Sequence, residues 1–203
     1  MGSNGGSRHS ARVGASASMS SRPTLVVYPN GKATDVPKQI PQLRFLIMDA
    51  PRESNLHVYI QECTKNGVTD IVRVCEPTYH NIAELKNAGI TLHDLAYDDG
   101  TSPPDNILNS WLDIIEERFV VDKASTLPND IPSTVAVHCI AGLGRAPVLV
   151  AIALMEFCRC DAAIAVKYIR DLRRGAINRK QLTYLQDYKC RRQTSSGACC
   201  VIS

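Results

Sequence analysis

His138, Cys139, Gly142 and Arg145 stand in the spacing H-C-x-x-G-x-x-R. Residues of these types, so spaced, can do one kind of chemistry well: displacement at the phosphorus of a bound phosphate by a thiolate. A cysteine attacks only as its thiolate, a form favoured by helix N-termini and neighbouring cations. Cys139 is placed where both would act. Gly142 lets the backbone close on a tetrahedral anion. Arg145 offers a planar fork that grips two oxygens, which lysine cannot do. Ile140, Ala141, Gly142, Leu143 and Gly144 supply the loop that runs into a helix start, so their N–H groups and the helix dipole form an anion cradle. His138 is expected to restrain the loop and tune the thiolate through hydrogen bonds. The competing account is a buried cysteine and a surface arginine beside an ordinary turn. Four such residues at this spacing arise by chance on the order of once in a thousand chains of this length.

Such a loop needs a strand before it and a helix after it. The run Thr134-Val135-Ala136-Val137 reads as a buried strand, and the apolar segment from Pro147 onward reads as a helix. Further strands are expected over 24–28, 43–48, 69–74 and 90–95. Ser54 is a plausible cap for a helix reaching Lys65 and stopped by Asn66-Gly67. A short helix is expected near 81–87, ending at Gly89. Ile107, Leu108, Trp111, Ile115 and Phe119 recur at helical spacing, as core rather than as a binding stripe. Helices near 146–158, 161–173 and 179–190 complete the chain. The expected fold is α/β, a central and mostly parallel sheet flanked by helices.

Transfer of a phosphoryl group from an alcohol or phenol needs a proton donor for the leaving oxygen. Asp98 and Asp99 lie between a strand and Gly100, before Pro103-Pro104 opens the next helix. Spacing alone does not rank one aspartate above the other, and a turn pair that shapes the loop is the alternative. Cys75 ends a predicted strand, as Cys139 does, so adjacent parallel strands would bring the two ends together.

The residues after the loop carry a closer likeness. Gly142–Val150, with Val72-Arg73-Val74-Cys75-Glu76, Tyr97-Asp98-Asp99-Gly100 and Arg173-Arg174-Gly175-Ala176-Ile177-Asn178, resembles the phosphatase of regenerating liver (PRL) family. These are the type IVA protein tyrosine phosphatases. The C-terminal Cys199-Cys200-Val201-Ile202-Ser203 agrees, and the likeness runs from about residue 24 to the end. The resemblance implies a cysteine-dependent, dual-specificity phosphatase fold that needs neither cofactor nor metal. It implies Cys139 as nucleophile, Arg145 as phosphate ligand and Asp99 as general acid. It implies a reversible Cys75–Cys139 disulfide that protects the nucleophile. Ala146 stands where many related phosphatases carry a hydroxyl that helps the thiolate leave, so slow breakdown of the intermediate is expected. Arg173 and Arg174 complement a helix end, and in the family their region contributes to binding cyclin-M-type magnesium-transport mediators. Gln181 is read as a solvated helix residue, with orientation of the hydrolytic water as the alternative.

The 203 residues carry a net charge of +3. They read as a Gly/Ser/Ala-rich, disordered extension over 1–22, a phosphatase domain over 23–190 and a tail over 191–203. Between Lys167 and Arg192 there are nine basic and two acidic residues, with few aromatics among them, which disfavours nucleic acid and leaves a membrane or an acidic partner. Eight cysteines without a C-x-x-C pair argue against structural zinc and for reduced thiols. Met-Gly opens the chain, but Gly6 breaks the myristoylation pattern. Cys200-Val201-Ile202-Ser203 is a C-a-a-X box favouring farnesyl at Cys200, with methylation and with Lys189, Arg191 and Arg192 as a second membrane signal. The expected location is the cytoplasmic face of the plasma membrane or endomembranes, with a soluble cytosolic pool. The expected substrate is a phosphorylated protein or a phospholipid, and a homo-oligomer is compatible with the sequence. A regulatory module controlling a magnesium-transport mediator is the runner-up. A rhodanese-type sulfurtransferase is disfavoured by Asp99 and the full loop pattern.

Overall fold

A computed structural model describes residues 18–28, 42–121 and 132–192. Five strands form one sheet in the order β1-β2-β5-β3-β4. β1 (Thr24–Val27) is an antiparallel edge on β2 (Arg44–Met48). β2, β5 (Thr134–His138), β3 (Val68–Arg73) and β4 (Thr91–Asp94) run parallel. Every residue of β5 is buried, which is why its sequence runs apolar instead of alternating. It lies at the centre of the sheet, and its carboxyl end leads into the loop 139–144. In an open α/β sheet that end is where ligands bind.

Helices cover both faces. α1 (Leu56–Lys65) and α2 (Ile82–Asn87) pack on one side, where Leu56, Tyr59, Cys63 and Leu85 meet Leu46 and Ile71. α3 (Asp105–Glu116), α4 (Arg145–Cys158), α5 (Ala162–Leu172) and α6 (Arg179–Asp187) cover the other. The stripe Ile107, Leu108, Trp111 and Ile115 is buried as expected, and Trp111 Nε1 donates to the Leu149 carbonyl at 2.8 Å. Phe119 falls beyond α3, in a π-helical turn over Glu117–Val121. α4 is buried along nearly its whole length and ends where Arg159 turns left-handed at φ 53°. The mostly parallel sheet flanked by helices is the fold expected from the sequence.

Several boundaries differ from the sequence reading. Ser54 lies inside a 3-10 turn, Glu53–Asn55, and α1 starts after Asn55. α6 stops at Asp187 instead of running on, because the buried Glu156 gathers the chain after it. Glu156 accepts from Tyr188 Oη at 2.7 Å, Arg191 N at 2.7 Å and Arg192 N at 3.0 Å. Arg191 pairs with Asp105 at 2.6 Å, and Arg192 with Asp113 and Glu116. Two of the three cations read as a membrane signal, Arg191 and Arg192, are therefore clasped to α3. At the other end, Ser18–Arg22 lies against the domain: Ser20 Oγ donates to Asp49, and the Ser18 carbonyl accepts from Asn55. The remainder of the 1–22 extension, and Cys199 and Cys200, lie outside the described residues.

Candidate active site

The loop after β5 is held from behind, carbonyl by carbonyl. The Ile140 carbonyl accepts from Ala50 N at 3.0 Å and the Leu143 carbonyl from Ile177 N at 2.8 Å. Between them, Ala141 and Gly142 carbonyls accept from Arg173 at 3.3 and 2.7 Å. A peptide plane is rigid, so each carbonyl turned outward turns the following N–H the other way. None of the amides of residues 140–144 donates to another backbone group among the described residues. Gly142 sits at φ 66°, and a Cβ there would collide with the Met48 carbonyl. Glycine is thus required both by the turn and by the close approach. Ile177 is itself left-handed at φ 60°, a strained conformation for a β-branched residue, fixed by burial and by Arg170 donating to its carbonyl at 2.6 Å.

Cys139 is buried at the base of this loop as a free thiol. Arg145 opens α4 and is only 6% exposed. Its Nη1 donates to the Tyr97 carbonyl at 2.8 Å and the Val74 carbonyl at 3.2 Å. Its Nε is buried without a hydrogen-bond partner, although Asp99 Oδ1 lies 3.2 Å away as an ion pair. That distance is Coulombic contact without hydrogen-bond alignment, so Nε keeps a donor for an anion in the cradle. Ala146 follows, fully buried.

Asp99 is largely exposed apart from its ion pair with Arg145. Asp98 contributes its backbone: its carbonyl accepts from Thr101 Oγ1 at 2.8 Å and shapes the turn. The structure therefore brings Asp99, and not the Asp98 carboxylate, to Arg145. Gln181 was read as solvated and is instead buried, facing Gly144: a Cβ on that glycine would lie 3.1 Å from Gln181 Nε2. Its Oε1 and N form a capping box with Asn178, and that Asn-x-x-Gln pattern was the signal in the sequence.

The His138 ring lies between Tyr79 and Cys75 and also bonds the Cys139 backbone. Its Nε2 contacts Tyr79 Oη at 3.0 Å and its Nδ1 lies 3.9 Å from Cys75 Sγ. Burial, reinforced by Arg73, pushes its pKa down to about 3, so the ring is neutral. Arg73 donates to the Tyr79 carbonyl at 2.8 Å and pairs with Asp94 at 2.5 Å, fixing the tyrosine that holds the histidine. Cys75 is buried two residues past Arg73, which is registered with His138 across β3 and β5. Burial pushes its thiol up to about 11, against the pull of Arg145. Arg173, expected to complement a helix end, is 7% exposed and spent on the loop, whereas its neighbour Arg174 lies on the surface. Among the described residues no cluster of His, Cys, Asp and Glu could hold a metal ion.

No protein-family model matches the chain. Individual relatives do. A protein tyrosine phosphatase type IVA A from Dictyostelium discoideum is 47% identical over 152 residues, covering 75% of this chain and 86% of its own. The PRL-1 phosphatase of Drosophila melanogaster is 47% identical over 147 residues, 72% of this chain and 78% of its own. A solved protein tyrosine phosphatase from Leishmania major superposes with a TM-score of 0.70 at 39% identity, covering 83% of this chain and 99% of its own. With this identity extending over most of both chains, and with the fold shared, the chain belongs to the PRL, or type IVA, family of protein tyrosine phosphatases.

Proposed function

We propose that this phosphatase hydrolyses phosphate monoesters, on tyrosines of a protein substrate, through a phosphocysteine on Cys139. The observation that carries the reading is the loop itself. Four consecutive outward carbonyls surround a buried thiol, and the buried Arg145 Nε keeps an open donor beside it. Cys139 Sγ attacks phosphorus as the bond to the leaving oxygen breaks, and Asp99 gives that oxygen its proton. Arg145 and the loop amides hold the equatorial oxygens, where charge is concentrated in transit. Water then attacks the phosphocysteine, the S–P bond breaks, Asp99 takes the water's proton, and inorganic phosphate leaves. The position of Gln181, with Nε2 beside Gly144, supports a role in orienting that water. Ala146 offers the departing thiolate no hydroxyl, so hydrolysis of the intermediate is the slow step, by roughly a hundredfold for one lost donor. Asp99→Ala should therefore slow phosphorylation by poor leaving groups far more than by nitrophenolate. Single-turnover rates on alkyl-like and activated aryl phosphates compare the two, and equal losses would remove Asp99 as the acid.

The thiol pair at the strand ends supports redox protection. Hydrogen peroxide converts Cys139 to a sulfenic acid, and Cys75 displaces water from it to close a disulfide, which a dithiol reopens. Because Cys75 titrates near 11, closure should quicken as pH rises toward that value. Cys75→Ser should lose reversibility after peroxide. A thiol-reversible oxidised wild type whose mapped bridge joins Cys139 to a cysteine other than Cys75 would assign the resolving role to that thiol.

Membrane residence through a prenyl group on Cys200 completes the proposal, at the cytoplasmic face of cellular membranes. No helix among the described residues is long and apolar enough to cross a bilayer. The surface pairs that hold Arg191 and Arg192 to α3 are each worth at most about 1 kcal/mol, comparable to what each cation gains near an anionic leaflet. The clasp and the membrane therefore compete on even terms. Cys200→Ser should move the protein from membrane to soluble fractions in a prenylating cell, and identical distributions would rule out this anchor. The runner-up, a regulatory module that grips a cyclin-M-type transport mediator, has in its favour a groove beside the loop. Arg22 and Arg174 flank exposed Leu143 and Leu172 there.

A further inference from the structure

Arg173 makes five hydrogen bonds while almost wholly buried. On one side it donates to the loop carbonyls, Nε to Gly142 and Nη2 to Ala141. On the other, Nη1 donates to the Arg22 carbonyl at 3.1 Å and Thr24 Oγ1 at 3.0 Å, and Nη2 to Ser21 Oγ at 3.3 Å. From this juxtaposition we infer that Arg173 is a positioning residue for phosphoryl transfer: it aims the Gly142 and Leu143 amides into the anion cradle, and the segment Ser21–Thr24 holds it in place. The inference rests on the phosphocysteine reading above and extends it to residues that never touch the substrate.

The Ala141 carbonyl shares a rigid plane with Gly142 N–H, and the Gly142 carbonyl with Leu143 N–H. Rotating either plane swings a donor out of the cradle. The flanking planes are fixed by main-chain amides of Ala50 and Ile177, which the fold already holds. Among the described residues, the two middle planes have only Arg173. Glycine at φ 66° has no side chain to resist the rotation, so the weakest point of the loop is the one the guanidinium braces. Only a planar fork with five donors reaches all these acceptors; an ammonium has three donors at one point. The outer anchor is continuous with a second contact. Ser20 donates to Asp49, the buried residue between Met48, whose carbonyl crowds Gly142, and Ala50, whose amide holds Ile140. The stretch before β1 thus grips the back of the loop at two places.

The test uses full-length Arg173→Lys and Arg173→Met, and a Ser21→Ala/Thr24→Val double variant that keeps the guanidinium but removes two of its outer acceptors. Three quantities are read: kcat and KM on an aryl phosphate, affinity for inorganic phosphate by calorimetry, and the melting temperature. Misaimed donors should cost Arg173→Lys about tenfold in both kcat/KM and phosphate affinity, and Arg173→Met about a hundredfold. The double variant should lose about threefold in phosphate affinity, since the brace loosens without leaving. An arginine that only stabilises the fold would lower the melting temperature and leave phosphate affinity unchanged in the folded protein. Folded Arg173→Lys within about twofold of wild type in both readouts overturns the inference. If Arg173→Met does not fold, the other two variants decide by the same criterion. Phosphate affinity separates the two levels of the account. Wild type that binds phosphate but turns nothing over contradicts the catalytic reading, and the Arg173 inference still stands or falls on affinity.

Discussion

Cys139→Ser should abolish turnover while leaving the anion cradle intact. A serine hydroxyl is a far weaker nucleophile than a thiolate, and His138 is engaged with Tyr79 and Cys75 and not with the side chain at position 139. The swap removes one atom's chemistry from a buried position and disturbs little packing. The expected result is loss of activity to the background rate, with phosphate or vanadate still binding to the loop amides and Arg145. Steady-state assays and calorimetry on the same preparation read both. Residual turnover at the wild-type level would remove Cys139 as the nucleophile.

Gly142→Ala should have the next largest effect, for a different reason. The left-handed conformation costs a non-glycine residue roughly 1–2 kcal/mol. The greater cost is steric: the new methyl would overlap the Met48 carbonyl and lie 2.6 Å from Arg173 Nη2. Met48 ends β2 in a central pairing with His138, so its carbonyl cannot yield. The loop must move instead, carrying its amides off the phosphate. A displacement near an ångström is enough for about a hundredfold loss in kcat/KM, with weakened vanadate inhibition as the sign that the cradle has opened. Wild-type kinetics in this variant would show that the loop does not need its tight approach to β2.

The contrast between these residues and others shows what a sequence displays. Cys139, Gly142 and Arg145 were legible because their chemistry is local: seven residues, one loop, fixed spacing. The strands and helices around them were legible because burial on both faces of a parallel sheet leaves apolar runs, as in β5. Arg173 was not legible. Its acceptors lie 31 to 152 positions away in the chain, and its own neighbourhood, Arg-Arg-Gly at a helix end, looks like a solvated terminus. Arg191 and Arg192 were read as a membrane signal because charge counting along the chain cannot see α3's carboxylates or the buried Glu156 across the fold. His138 was placed correctly on β5 but its ring direction is set by Tyr79, 59 residues upstream. Gln181 is the exception, since its capping box with Asn178 lay within four residues and would have tied it to a helix start facing the loop.

The measurement that bears most directly on the account is rapid-quench kinetics on an activated aryl phosphate, followed by acid trapping of the enzyme. The account predicts a burst of product close to one equivalent per enzyme, then turnover slower by roughly a hundredfold, the cost of the donor that Ala146 lacks. The trapped phosphate should map to the peptide containing Cys139. A linear time course with no burst, and no phosphate on Cys139 while turnover continues, would contradict the phosphocysteine mechanism.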